Sequence, residues 1–250
     1  MTTPMVEIFP DKTALVQKAL QEVVALVGDA VAHQGFCTLA LAGGSTPKPL
    51  YQQLSQANLP WDKLYLFWGD ERYVPIEHPD SNAGMAKQVW LDRVPVPSCQ
   101  VFVTPTEVGA PEQSAQSYET TLRSVFGRLQ GLAPDEVPQF DLILLGMGDD
   151  GHTASLFPFT PALQVRDRLV TVGNKDGEPR ITFTVPLINR SRCVMFLAAG
   201  ANKRAALQQI FAPQADDQAY PARLIRPVGA LRWLLDADAV ENLSLPRTDA

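Results

Sequence analysis

The sequence predicts an α/β fold: a doubly wound, mostly parallel sheet flanked by helices, in one domain over residues 1–250. Short, continuous apolar blocks recur from end to end, as in strands buried on both faces of a parallel sheet. Helical patterns separate these blocks, and strands alternating with helices mean βαβ units of Rossmann-like type. No stretch has the composition of an interdomain linker. The 21 prolines are scattered at element boundaries, and the most linker-like piece, 131–139, reads as a loop before a strand.

The elements follow in order. A strand over 6–9 leads to Asp11, a suitable N-cap, and a helix over 11–32 with apolar residues at Leu15, Ala19, Val23, Leu26 and Ala30. A strand over 37–42 passes through a glycine turn into a helix over 47–55, with Pro47 suited to the first helical turn. A strand over 64–68 is followed by a polar loop and a helix over 81–91. Then come a strand over 101–104, a helix over 112–130 and strands over 142–145, 169–172, 181–185 and 194–199. A helix over 202–211 and a strand over 231–235 close the pattern. The segments 39–48 and 194–203 echo each other as strand, glycine turn and helix start, as recurring βα units do.

Composition bounds the function. Hydrophobic residues make up 46% of the chain and charged residues 19%, which excludes overall disorder. No apolar run approaches the ~18–20 residues that cross a bilayer, and the first twenty residues lack a signal-peptide core. The expectation is a cytoplasmic protein with no membrane partner. A net charge of −6 argues against nucleic acid, which needs a basic face. Cys37, Cys99 and Cys193 form no CxxC or Cys/His cluster, so neither a disulfide framework nor a zinc site is expected, and a reducing compartment fits. Only His33, His78 and His152 are available for histidine chemistry.

Three segments carry chemistry. In the first, Gly43-Gly44-Ser45-Thr46-Pro47, the glycines let backbone approach a ligand, and two hydroxyls stand where free helix N–H groups favour an anion. This reads either as a phosphate cradle or as a tight βα turn with an ordinary cap; it is neither a Walker A loop nor GxGxxG. The second, Gly69-Asp70-Glu71-Arg72-Tyr73 with Ser81-Asn82, crowds polar residues at the C-terminal edge of a buried strand, where open parallel sheets place ligands. Arg72 suits a phosphate or carboxylate, although such a triplet also forms self-paired loops, and Asn82 also suits a cap. The third runs from an apolar strand into Gly146-Met-Gly148-Asp149-Asp150-Gly151-His152. Imidazole, with an unperturbed pKa near ~6.5, accepts a proton at neutral pH. His33, near a helix end, reads as a packing or capping group, and His78 as an exposed loop residue. Arg180 and Lys203 add positive charge, and from Arg190 to Trp233 seven Lys/Arg stand against two Asp/Glu.

Together these segments resemble the 6-phosphogluconolactonase family. The matching pieces are Ala42-Gly-Gly-Ser-Thr-Pro, Trp68-Gly-Asp-Glu-Arg-Tyr-Val-Pro with Ser81-Asn82, Leu145-Gly-Met-Gly-Asp-Asp-Gly-His-Thr-Ala-Ser-Leu-Phe-Pro, Pro179-Arg-Ile-Thr, Tyr220-Pro-Ala and Trp233-Leu-Leu-Asp. The resemblance implies the sugar-phosphate isomerase/deaminase-like fold and hydrolysis of the small-molecule substrate 6-phosphogluconolactone, in the oxidative pentose phosphate pathway. It implies that Gly43, Gly44, Ser45, Thr46, Asn82, Gly151, Arg180 and Lys203 bind substrate and phosphate, with Arg72 beside them. His152 would be the general base, with Asp70 or Asp150 orienting it or the sugar hydroxyls. Arg72 or the N–H groups of 148–151 would stabilise the oxyanion. No metal or cofactor is implied, and the oligomeric state stays open between monomer and homodimer.

Two positions depart from the family's pattern: Phe159 stands where glycine is common, and Asp149 where proline often precedes Asp-Gly-His. The related glucosamine-6-phosphate deaminases read Asp-Glu-Tyr where this chain has Asp70-Glu71-Arg72. They also carry a glutamate after the histidine, at the position of Phe157. A non-catalytic sugar-phosphate-binding regulator on the same scaffold would not need His152.

Overall fold

A computed structural model describes residues 3–107 and 109–243; the remaining positions of the expected 1–250 domain lie outside the described residues. The first half runs β1 (Met5–Phe9), α1 (Lys12–Gln34), β2 (Cys37–Leu41), α2 (Pro47–Leu54), β3 (Leu64–Trp68), β4 (Asp70–Arg72), α3 (Asn82–Val89) and α4 (Pro111–Gln130). The second runs β5 (Leu142–Leu145), β6 (Val170–Lys175), β7 (Glu178–Phe183), α5 (Val185–Asn189), β8 (Cys193–Ala198), α6 (Arg204–Ile210), β9 (Ala230–Asp236) and α7 (Ala237–Val240).

Six strands make one parallel sheet in the order β1-β9-β8-β5-β2-β3. Its strands are apolar on both faces because both are covered. Leu142 and Leu144 of β5 pack with α1, α2 and α3, whereas Ile143 and Leu145 pack with α4, α5, α6 and α7. Asp11 caps α1 as expected, its side chain accepting from the Ala14 N–H. Ser81, not Asn82, caps α3, accepting from the Gly84 N–H.

Two expected strands belong elsewhere. β6 and β7 form an antiparallel hairpin that pairs with β4 in a separate sheet of order β4-β7-β6. The hairpin turns at Asp176 and Gly177, both at positive φ (54° and 93°), the pairing favoured by a tight two-residue turn. β7 ends at Phe183 because Val185 and Pro186 already open α5. The expected strand over 101–104 is reduced to a single bridge, Leu66 to Val101, with one hydrogen bond from the Phe102 N–H to Leu66. Prolines at 97 and 105 confine it to the sheet edge.

The chain leaves β2 for β3 on one side and β5 for β8 and β9 on the other. The strand order therefore reverses between β2 and β5, the place where such sheets open a crevice at their C-terminal ends.

Candidate active site

A cleft of about 350 Å³ opens at that reversal. It is lined by Gly43, Gly44, Ser45 and Thr46 after β2, by Asp70 and Arg72 of β4, by Asn82 of α3, by residues 145–149 and His152 after β5, and by Asn202 and Lys203 after β8.

The turn after β2 is shaped by what lies against it. A Cβ on Gly43 would fall 1.7 Å from Asn82 Oδ1, so only glycine fits there, and Gly44 has φ of 97°. The Asn82 amide in turn donates to the Asp70 carbonyl at 2.9 Å, which ties the turn to β4. Thr46 stands at the α2 N-cap without making a side-chain cap bond, and Pro47 follows it. Pro47 and Pro49 carry no N–H, so among the first three helical residues only Lys48 offers one, and Thr46 does not cap it.

Glu71 is a buried support that its charge pattern conceals. Its carboxylate accepts from the backbone N–H groups of Arg72, Asn82 and Ala83, each at 2.8 Å, and from the Ser81 hydroxyl at 3.2 Å. Burial pushes this carboxyl above its usual range, while the N–H donors pull the other way. Glu71 therefore joins β4 to the start of α3. Asp70 accepts from the Ser155 hydroxyl at 2.7 Å, so its carboxylate supports the cleft wall, not His152. Arg72 is held by one bond, Nη1 to the Asp80 carbonyl at 2.9 Å, while its Nε is buried with no partner among the described residues.

The turn after β5 holds the histidine. His152 Nδ1 lies 2.6 Å from Asp150 Oδ1, which also accepts from the His152 backbone N–H at 3.0 Å. Burial pushes the Asp150 carboxyl up, but these hydrogen bonds and the ring's charge outweigh it and bring it down to about 2. Phe157 packs on the imidazole, with ring centroids 4.4 Å apart. A Cβ on Gly148 would fall 2.1 Å from Nδ1, so glycine is required for the ring to lie there. With Nδ1 engaged, Nε2 is the nitrogen left for the cleft. The N–H groups of Gly148, Gly151 and His152 are all spent within the turn. They are not oriented as free oxyanion donors.

Several expected residues stand outside the lining. Asp150 sits behind His152. Gly151 packs against Tyr220, and its carbonyl accepts from the Ala222 N–H. Arg180 pairs with Glu178 at 3.2 Å and lies opposite Arg72 in the β4–β7 register, which puts it on the same face as Arg72 although it is not part of the lining. Of the basic residues between Arg190 and Trp233, only Lys203 lines the cleft. Arg192, Arg204, Arg223, Arg226 and Arg232 are paired with acids elsewhere. His78 is exposed, as expected; His33, expected to pack or cap, is exposed too, and its Nδ1 lies 2.7 Å from the Asp29 carbonyl of its own helix. Asn202 was legible only as part of the glycine turn. Asp236, legible only as the last residue of the matching piece Trp233-Leu-Leu-Asp, accepts from the N–H of Gly200 and of Ala239 and so fixes the turn that carries Lys203.

Among the described residues no group of three or more His, Cys, Asp or Glu could hold a metal ion, and no helix is long and apolar enough to cross a membrane.

The family model described as glucosamine-6-phosphate isomerases/6-phosphogluconolactonase matches residues 10–233. The chain belongs to the 6-phosphogluconolactonase family. A 6-phosphogluconolactonase of Synechocystis sp. is 56% identical over 240 residues, covering 96% of this chain and 98% of that one. The 6-phosphogluconolactonase of Homo sapiens is 36% identical over 244 residues, covering 90% and 92%. The solved 6-phosphogluconolactonase of Trypanosoma brucei has a TM-score of 0.83 at 30% identity, covering 98% of this chain and 100% of that one. One departure from the family's pattern has a structural cost: Phe159 has φ of 58°, the left-handed region that favours glycine, and is 69% exposed.

Proposed function

We propose that this chain hydrolyses 6-phosphogluconolactone to 6-phosphogluconate, with His152 as general base and no metal ion. It is an enzyme, a lactone hydrolase of its family. One observation carries the catalytic reading: Asp150 holds His152 Nδ1 at 2.6 Å on the wall of the cleft, which leaves Nε2 to meet a water. Nε2 takes a proton as the water oxygen bonds to the lactone carbonyl carbon. The tetrahedral intermediate then collapses, the bond to the ring oxygen breaks, and Nε2 returns the proton to that oxygen. Arg72, which lines the cleft, meets the charge developing on the carbonyl oxygen, a contribution worth ~3–4 kcal/mol per donor. The 43–46 turn and Lys203, whose ammonium makes no ion pair among the described residues, hold the phosphate. Asp70 and Asn82 meet the sugar hydroxyls.

The deaminase reading lacks its glutamate: Phe157 stacks on the ring, and Asp150 supports it. A regulator would gain nothing from an imidazole held in this way. The cleft draws on residues from 42 to 203, which supports a single working domain. Three free cysteines support a reducing, cytoplasmic setting. The test is a pH-stat assay with freshly made 6-phosphogluconolactone, corrected for spontaneous opening. Equal turnover of unphosphorylated gluconolactone would refute the phosphate reading.

A further inference from the structure

Two fully buried tyrosines do the same work at adjacent strand ends. The β2–β3 register ends at Leu41 and Trp68. Beyond it, Ala42 has no strand partner among the described residues. The Tyr51 hydroxyl, reaching back from α2, accepts from the Ala42 N–H at 2.9 Å and donates to the Ala42 carbonyl at 2.7 Å. From the opposite face of the sheet, Tyr118 of α4 accepts from the Trp68 N–H at 2.8 Å. Its single proton is shared between the carbonyls of Trp68, at 3.3 Å, and Phe102, at 3.1 Å. Burial pushes both phenols far up, so each hydroxyl stays neutral and able both to donate and to accept. Each ring is itself fixed: Tyr51 stacks on Trp90 with centroids 5.5 Å apart, and Tyr118 on Phe183 at 6.1 Å.

The residues these hydroxyls hold are the last before the site. Ala42 leads directly into Gly43, and Trp68 into Gly69 and Asp70. Buried backbone groups left unpaired would move or draw in water, and the turn beyond would shift with them. We infer that Tyr51 and Tyr118 are positioning residues, Tyr51 setting the 43–46 turn and Tyr118 setting the 69–72 segment. The roles given to those two segments rest on the lactonase reading above.

The test uses Tyr51→Phe and Tyr118→Phe, which remove one oxygen each, assayed well below the melting temperature of each variant. Tyr51→Phe is expected to raise both KM for the phosphorylated lactone and the inhibition constant of inorganic phosphate about tenfold, with kcat within about twofold. Tyr118→Phe is expected to do the reverse, lowering kcat about tenfold and leaving phosphate inhibition unchanged. If both variants only melt earlier, with kinetic constants of wild type, the tyrosines are structural and the inference is overturned. Backbone amide exchange gives an arm that needs no ligand. Faster exchange at 43–46 in Tyr51→Phe alone, and at 69–72 in Tyr118→Phe alone, upholds the inference; the same pattern in both overturns it. If phosphate does not inhibit even the wild type, the phosphate reading fails, and the exchange arm still decides the tyrosines. Should Tyr51→Phe not fold, Trp90→Phe loosens the ring that Tyr51 stacks on and is expected to shift KM in the same direction.

Discussion

Replacing Asp150 with asparagine keeps the shape of the group facing His152 Nδ1 and removes its charge. The asparagine carbonyl can still accept from the ring and from the His152 N–H, so the tautomer is preserved. What disappears is the attraction between the carboxylate and a ring that has taken a proton from water. The fall of the Asp150 carboxyl from 3.8 to about 2 corresponds to ~2.5 kcal/mol at face value, and the ring's charge is a smaller cause of it than the His152 hydrogen bonds that asparagine keeps. The side chain is 44% exposed, so solvent screening leaves roughly 1 kcal/mol. Asp150→Asn is therefore expected to lower kcat about fivefold. Asp150→Ala also frees the ring to turn, and a loss of about a hundredfold is expected. KM should change little in either, because Asp150 does not line the cleft. Initial rates with fresh phospholactone across a concentration series separate the two constants. An asparagine variant with wild-type kcat, or one altered only in KM, would refute the reasoning. The linkage has a definite sign. The folded value lies below the unfolded one, so this contribution to stability is complete above about pH 4 and lost as pH falls through about 2. Urea midpoints of wild type and Asp150→Asn should converge over that interval.

Other perturbations follow from the same contacts. Glu71→Ala orphans three backbone N–H groups, two of them buried, and is expected to cost ~3 kcal/mol, lowering the melting temperature by roughly 6–12 °C; a shift under about 2 °C would count against its joining role. Lys203→Ala should raise KM severalfold with kcat nearly unchanged, whereas Arg180→Ala, outside the lining and paired with Glu178, should raise it less. The opposite order in steady-state kinetics would reassign the phosphate contact. Phe159→Gly relieves a left-handed bulky residue that buries little, and chemical denaturation should show a gain of up to ~1 kcal/mol after the added chain entropy.

The sheet was legible because strands buried on both faces are written as unbroken apolar blocks, and all six appear within a residue or so of their expected bounds. β4 was not legible. Asp70, Glu71 and Arg72 have no strand propensity, and their extended form depends on pairing with β7, more than a hundred residues away. The Asp176-Gly177 turn was a readable hairpin signal, and Pro186 a readable helix start that the run Ile181-Thr-Phe-Thr-Val185 masked. In the site, the glycine turns and the histidine announced themselves through residue type. Glu71 did not, because a buried carboxylate serving helix N–H groups looks in sequence like any solvated charge. The choice between Asp150 and Asp70 as the partner of His152 needed the fold. The first lies two residues away on the same turn, while the second is spoken for by Ser155.

The central claim is that His152 removes the proton from water. Its most direct test is the rate of phospholactone opening by His152→Ala, corrected for the spontaneous reaction, beside 6-phosphogluconate binding measured by calorimetry. The account predicts that the enzymatic acceleration vanishes while product binding stays near that of wild type. Turnover close to wild type in that variant would contradict it.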